Sequence, residues 1–231
     1  MLPRLLQSPD PIAILGGGVV NPNQLARVVG LVSDVVAADG GADHALAAGL
    51  MPRLVIGDFD SISDRTRAAL PVERLYHVTE QESTDFEKCL RAVAAPLMLG
   101  LGFMGARIDH ALAAMNALAR YPDRRCILIG EADICFLCPP ELRLAPPQGA
   151  RLSLFPMGPV RGESEGLRWP IAGLDFAPGG RIGTSNEVTG PVTLRIETGA
   201  MVVILPETEL EATAAALMAQ VAAGGSGDAR A

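Results

Sequence analysis

Val35-Val36-Ala37-Ala38-Asp39-Gly40-Gly41 and Leu54-Val55-Ile56-Gly57-Asp58-Phe59-Asp60 decide the fold class. Each is a short, unbroken apolar run that stops at glycine and aspartate. Such a run reads as a strand buried on both faces, because a half-exposed strand alternates apolar with polar residues. The pattern recurs at Ile12–Leu15 before Gly16-Gly17-Gly18, at Leu97–Leu101 before Gly102, and at Ile127–Ile129 before Gly130. Helical segments are predicted between these runs, near 23–30, 43–49, 64–69, 84–94 and 109–120. In 84–94, Phe86, Leu90 and Val93 share one helical face, and Thr84-x-x-Glu87 has capping-box spacing. Buried strands alternating with helices predict an α/β domain over residues 1–138, a mainly parallel sheet with helices on both faces.

Pro139-Pro140 and Pro146-Pro147 mark a boundary, and beyond them the period changes to two. Leu152 and Leu154 alternate with Arg151 and Ser153; Val192, Leu194 and Ile196 alternate with Thr193, Arg195 and Glu197. Met201–Leu205 reads as a fully buried strand after a turn at Thr198-Gly199. A small all-β sandwich is expected over 139–223, ending in an Ala-rich helix near 208–222, with 224–231 a disordered tail.

The 231 residues are 49% hydrophobic and 19% charged, enough apolar material for a core. The net charge of −7 argues against sequence-independent nucleic-acid binding, which needs cations on phosphates. Lys88 is the only lysine. The uncharged stretch Ala92–Ala106 is interrupted by Pro96, Gly100 and Gly102 and falls short of the roughly 20 apolar residues of a membrane helix. The N-terminus lacks the composition of a signal peptide, so a cytoplasmic protein is expected. Cys135 and Cys138 form a C-x-x-C inside an apolar run, with no second Cys or His pair at zinc spacing; buried strand thiols are expected there.

Ligands of parallel α/β sheets bind beyond the carboxyl ends of the strands, and acids collect at those ends here. Asp39 follows one strand, Asp58 and Asp60 the next, Asp85 opens a helix after Leu75–Val78, and Asp109 opens another after Leu101. In extended chain, residues two apart point the same way, so Asp58 and Asp60 would form a hard-oxygen pair suited to Mg²⁺ and a phosphate substrate. The alternative is an ordinary turn. Glu80-Gln81-Glu82-Ser83-Thr84-Asp85 runs into a helix N-terminus, which suits phosphate; Asp85 either helps hold the cation or, with Thr84, caps the helix. Gly105-Ala106-Arg107-Ile108-Asp109-His110 delivers Arg107, suited to phosphate oxygens, and Asp109, suited to a hydroxyl or amine; the alternative is a helix cap beside a surface arginine. Gly16-Gly17-Gly18 and Gly40-Gly41 fit neither the dinucleotide fingerprint nor the P-loop.

Six segments, in order, resemble thiamine pyrophosphokinases. They are Ala38-Asp39-Gly40-Gly41-Ala42, Ile56-Gly57-Asp58-Phe59-Asp60-Ser61, Ser83-Thr84-Asp85-Phe86-Glu87-Lys88, Gly105-Ala106-Arg107-Ile108-Asp109-His110, Gly166-Leu167-Arg168-Trp169-Pro170 and Gly183-Thr184-Ser185-Asn186-Glu187. The resemblance implies an α/β catalytic domain followed by a β-sandwich, and Mg²⁺-dependent transfer of pyrophosphate from ATP to thiamine, giving thiamine diphosphate and AMP. It implies Asp58, Asp60 and Asp85 as metal ligands and Asp39, Gly40, Gly41, Ser83, Thr84 and Lys88 as nucleotide contacts. Arg107 is implied on phosphate and Asp109 near the nucleophilic hydroxyl or thiamine ring. Ser185 and Asn186 are implied on the aminopyrimidine. Trp169 offers a flat face to a cationic ligand or, equally, fills a small β core. The resemblance also implies a homodimer with both subunits at each active site. Glu80 and Glu82 stand where the family varies between Asp and Glu, and Pro159–Glu165 and Met1–Asp10 match nothing.

Two other readings compete. Leu54–Asp60 also looks like the opening motif of haloacid-dehalogenase phosphohydrolases, but two β/α units precede it and Lys88 alone must supply their lysine. A non-catalytic nucleotide- or thiamine-binding module has no need of three metal-side acids.

Overall fold

The computed structural model of the chain describes residues 3–105 and 107–225. It divides into two compact units. The first holds the residues up to Ala117 together with Leu128–Glu131; the second holds Leu118–Ile127 and the residues from Ala132 on. The boundary expected after residue 138 came from the proline pairs, whereas the contacts group Asp133–Leu137 with the strands that follow.

The first unit interleaves a sheet with helices. In chain order it contains β1 (Leu6–Gln7), β2 (Ile12–Leu15), α1 (Pro22–Val29), β3 (Asp34–Ala38), α2 (Gly41–Ala47), β4 (Leu54–Gly57) and α3 (Asp64–Ala69). Then come β5 (Leu75–His77), α4 (Asp85–Ala92), β6 (Val93–Ala94), β7 (Met98–Leu101), most of α5 (Ile108–Arg120) and the end of β8 (Cys126–Ile129). The strand order is β8-β7-β2-β3-β4-β5, with β2, β3, β4, β5 and β7 parallel where they pair. Ile12, Ala13, Ile14 and Leu15 of the central strand are all fully buried, as an unbroken apolar run between two neighbours must be. The segment read as helix 84–94 stops earlier: Val93 turns extended, and Val93-Ala94 pairs with Leu6-Gln7 as a separate parallel pair.

The second unit is dominated by strands: β9 (Asp133–Leu137), β10 (Glu141–Leu144), β11 (Arg151–Pro156), β12 (Arg161–Leu167), β13 (Gly183–Thr198) and β14 (Met201–Pro206), then α6 (Leu210–Gly225). Their order is β10-β13-β11-β14-β9, with β12 also on β13, and every pairing is antiparallel. The closing helix runs two residues past the expected start of the tail; the rest of that tail lies outside the described residues.

Close backbone approach fixes the entrance to α2. A Cβ on Gly41 would stand 1.9 Å from the carbonyl oxygen of Leu15, so only glycine lets the helix start against the central strand. Gly41→Ala should therefore cost about 2–3 kcal/mol in urea unfolding. A loss below about 0.5 kcal/mol would show that the contact between α2 and β2 relaxes freely.

Candidate functional site

Three carboxylates meet at the ends of neighbouring strands. Asp39 leaves β3, and Asp58 and Asp60 leave β4; one oxygen from each lies within 4.8 Å of the others. Ala38 pairs with Ile56, so the next residues, Asp39 and Gly57, come side by side. A Cβ on Gly57 would stand 2.8 Å from that of Asp39, and the bare glycine makes the approach possible.

Asp58 and Asp60 converge for a reason other than the extended geometry expected. β4 ends at Gly57, and Phe59 lies in the left-handed region at φ 64°. Its ring is buried among Ala37, Ala42, Val55, Ile62 and Leu70 and stacks on His77 at 5.3 Å. Burying Phe59 between two acids turns the chain around the ring and leaves the carboxylates outside the core. Asp39 (φ 44°) and Ser185 (φ 60°) complete the set of non-glycine residues with positive φ among the described residues. All three belong to the motifs singled out from the sequence, and strained backbone gathers where function holds it.

The cluster is braced from several sides. Asp39 is buried and accepts from the backbone N–H groups of Ser61 (3.3 Å) and Ile62 (3.1 Å). Gln81 Nε2 donates to Asp58 Oδ2 at 2.6 Å, and the His77 ring lies 3.0 Å from the Asp58 carbonyl oxygen. Ser61 Oγ donates to Asp60 Oδ1 at 2.8 Å. Gln81 was not singled out from the sequence; its neighbours in the acidic loop carried the signal, and its bond spans 23 residues of chain.

Asp85, expected as the third metal ligand, belongs to the same field without belonging to that oxygen triad. It opens α4 and pairs with Lys88 Nζ at 2.9 Å; the Lys88 side chain is 2% exposed. Lys88, expected on the nucleotide, thus lies beneath Asp85. Thr84 caps α4 by accepting from the Glu87 N–H, and Ser83 Oγ donates to Glu80. Gly40 and Gly41 sit at the start of α2, next to Asp39.

Burial pushes the Asp39 carboxyl up to about 6, and the charges of Asp85 and Asp60 push the same way. Asp85 is also raised, first by burial, against the pull of Lys88. Asp58 is lowered, first by the Gln81 hydrogen bond. Three hard oxygen donors held together, one of them carrying a proton more tightly than a free carboxyl, are what a divalent cation such as Mg²⁺ relieves, so the donor set fits that ion.

Arg107 and Asp109 form an exposed pair, Nη2 to Oδ2 at 2.6 Å and Nε to Oδ1 at 3.2 Å. Each spends its charge on the other, and Asp109 is outside the carboxylate triad. In the second unit, Trp169 is 54% exposed, which removes the core reading. Asn186 is buried, with its amide on the backbone of Trp169, and the Ser185 N–H donates to Ser153 Oγ at 2.9 Å. Cys135 in β9 and Cys138 just past its end are buried thiols, both pushed up to about 12 by burial. A cavity of about 280 Å³ in the same unit, bordered by Arg124, Phe136 and Leu217, contains none of the candidate residues. Among the described residues no helix is long and apolar enough to cross a membrane.

Residues 28–129 match the family "Thiamin pyrophosphokinase, catalytic domain", and residues 141–203 match "Thiamin pyrophosphokinase, vitamin B1 binding domain". Thiamine pyrophosphokinase 1 of Arabidopsis thaliana is 28% identical over 156 residues, covering 59% of this chain and 58% of its own length. Its Oryza sativa subsp. japonica counterpart is 29% identical, covering 59% of each chain. The chain thus matches less than two thirds of the length of these relatives. Among solved structures, a thiamin pyrophosphokinase from Geobacillus thermodenitrificans superposes with a TM-score of 0.74 at 23% identity, covering 85% of this chain and 97% of that one. One from Candida albicans superposes at 0.73 and 16% identity, covering 89% and 94%.

The electrostatics make a pH prediction. Between the ordinary 3.8 and about 6, folded Asp39 keeps a proton that the unfolded chain has released, so without metal its contribution makes stability fall as pH rises through that window. A cation coordinated by Asp39 would need that carboxyl ionised and would compete with its proton below about 6. Mg²⁺ at about 100 times its Kd should raise the Tm by roughly 5–10 °C above pH 7 and much less at pH 5. An equal shift at both pH values in thermal melts would detach Asp39 from the cation.

Proposed function

The chain belongs to the thiamin pyrophosphokinase family, and on that premise we propose that it transfers pyrophosphate from ATP to the hydroxyl of thiamine, giving thiamine diphosphate and AMP. The observation that carries this reading is the meeting of Asp39, Asp58 and Asp60 at the carboxyl ends of adjacent parallel strands. That is where an open α/β sheet receives a ligand, and a polyphosphate there requires its charge to be offset.

Asp58 and Asp60 hold Mg²⁺, with Asp85 beside them; Asp39 serves either the nucleotide side or the same cation. Bound Mg²⁺ neutralises charge on the polyphosphate and favours attack at phosphorus. Gln81 keeps Asp58 aimed before the ion arrives. Ser83 and Thr84, at the N-terminus of α4, present backbone N–H groups and a positive dipole end to phosphate oxygens. Lys88 sets the field from below through Asp85. Arg107 exchanges its carboxylate partner for phosphate, which frees Asp109 to accept a hydrogen bond from the thiamine hydroxyl or ring. Both side chains are about two-thirds exposed, so the exchange needs no repacking. Trp169 offers an accessible aromatic face to the thiazolium cation, and Ser185, next to the Asn186 that bonds the Trp169 backbone, serves the aminopyrimidine.

We read the first unit as a mainly parallel sheet covered by helices on both faces and the second as a small β-sandwich; the parallel registers and the shared strand β13 support this. A cytoplasmic homodimer whose active sites use both subunits completes the reading, and the exposed apolar side chains Val19, Ile108 and Leu112 offer material for such a contact.

Incubation with ATP, Mg²⁺ and thiamine should yield AMP and thiamine diphosphate in equal amounts. Inorganic phosphate would indicate a hydrolase instead, and no turnover a binding module. Asp58→Asn and Asp60→Asn should each lower turnover by roughly 100-fold or more without loss of fold by circular dichroism. Wild-type rates in either variant would remove that carboxylate from the metal.

A further inference from the structure

The end of β12 is completed by a side chain rather than by a strand. β12 pairs with β13 as far as Leu167 opposite Val188, and one more backbone bond follows, Arg168 N–H to the Glu187 carbonyl at 2.9 Å. At the next residue the Asn186 side chain takes over. Its Oδ1 accepts from Trp169 N–H at 3.1 Å, and its Nδ2 donates to the Trp169 carbonyl at 2.7 Å. The amide thus presents an acceptor and a donor to both backbone polar groups of one residue, as a neighbouring strand would. Asn186 Oδ1 also accepts from Glu187 N–H at 2.9 Å, so the amide is fixed from its own strand.

Other contacts hold the same short segment. Ile171 N–H donates to Ser164 Oγ at 3.1 Å, beyond Pro170. Arg168 lies over the Trp169 ring at 5.1 Å and is tied to Glu187 at 3.0 Å. Asn186 itself is 6% exposed, whereas Trp169 is 54% exposed. A buried polar side chain spends both ends of its amide on holding an exposed aromatic residue. Pairing these backbone groups serves the end of β12 whatever residue stands there; that the residue so fixed carries a half-exposed aromatic ring is what points to a ligand.

We propose that Asn186 is a positioning residue for Trp169, acting on thiamine through the tryptophan and not by touching the vitamin. This replaces the direct hydrogen bond to the aminopyrimidine that the sequence implied, and it rests on the reading of Trp169 as the thiamine face. Oδ1 already accepts from two N–H groups and Nδ2 already donates to the Trp169 carbonyl, which leaves one Nδ2 hydrogen on a side chain that is almost wholly buried. Pre-ordering the ring before binding removes that ordering cost from the encounter with thiamine.

Trp169 is the only tryptophan, so intrinsic emission reports on it alone. In the full chain without ligand, Asn186→Ala should lower emission anisotropy and raise acrylamide quenching about twofold or more, with far-UV circular dichroism unchanged. Its KM for thiamine should rise roughly tenfold, more than kcat falls and more than the KM for ATP changes. Asn186→Asp keeps the acceptor and loses the donor, and should fall between wild type and alanine. Added to Trp169→Ala, Asn186→Ala should change the thiamine KM little further. Unchanged anisotropy in a folded Asn186→Ala protein would overturn the clamp. Additive effects in the double variant would return Asn186 to direct contact with thiamine. Thiamine that leaves wild-type emission unaltered would defeat the substrate reading alone, because the anisotropy measurement reads the clamp without ligand.

Discussion

Like charges do not gather in a fold unaided, and the first unit is arranged around that constraint. Asp39, Asp58 and Asp60 place oxygens within 4.8 Å of one another, and Asp85 adds its field. What opposes their repulsion is mostly local. Phe59 is sunk into apolar packing between the two acids of its turn. Asp39 is bonded to two backbone N–H groups, Gln81 donates to Asp58, and the buried ammonium of Lys88 faces Asp85. Burying the chain's only lysine beside a carboxylate is costly unless the pair remains close, as it does here. The Asp39 carboxyl is held above the ordinary carboxylate range, first by burial and then by the charges of Asp85 and Asp60.

The sheet of the first unit was legible because β2, β3, β4, β7 and β8 are apolar runs followed by or ending in glycine or aspartate; β5, Leu-Tyr-His, is not. Each run marks a strand, and each end marks a position at the ligand-binding edge. The second unit was half legible. β14 and parts of β11 and β13 have period-two or continuous apolar patterns, but β12 reads Arg-Gly-Glu-Ser-Glu-Gly-Leu and carries no such signal. It is a strand because β13 pairs with it, and at Gly162 the chains approach so closely that a Cβ would stand 2.4 Å from the Arg195 carbonyl oxygen. Pairing partners far apart in sequence leave no periodic trace. The short β6 was hidden for the same reason, its partner being Leu6-Gln7.

At the candidate site, the acids were visible one strand end at a time, but their grouping was not. The register of Ala38 with Ile56 brings Asp39 beside the turn that carries Asp58 and Asp60. Local spacing pointed to Asp58 with Asp60 and suggested an extended chain; the left-handed Phe59 between them is what the structure uses. The resemblance put Lys88 on the nucleotide; in the structure its side chain is buried on α4 and pairs with Asp85. The resemblance put Asn186 on the aminopyrimidine; in the structure its amide bonds both backbone groups of Trp169. The residue types were informative, but side-chain direction was set by backbone twist at Phe59, by helix face at Lys88 and by the Trp169 backbone seventeen residues away at Asn186.

Anomalous diffraction from crystals soaked with Mn²⁺ and a non-hydrolysable ATP analogue tests the central claim most directly. A single strong peak within coordination distance of Asp58 and Asp60, with polyphosphate oxygens on its open side, is the expected result. A nucleotide bound elsewhere, or metal absent from those carboxylates while the analogue is present, would contradict it.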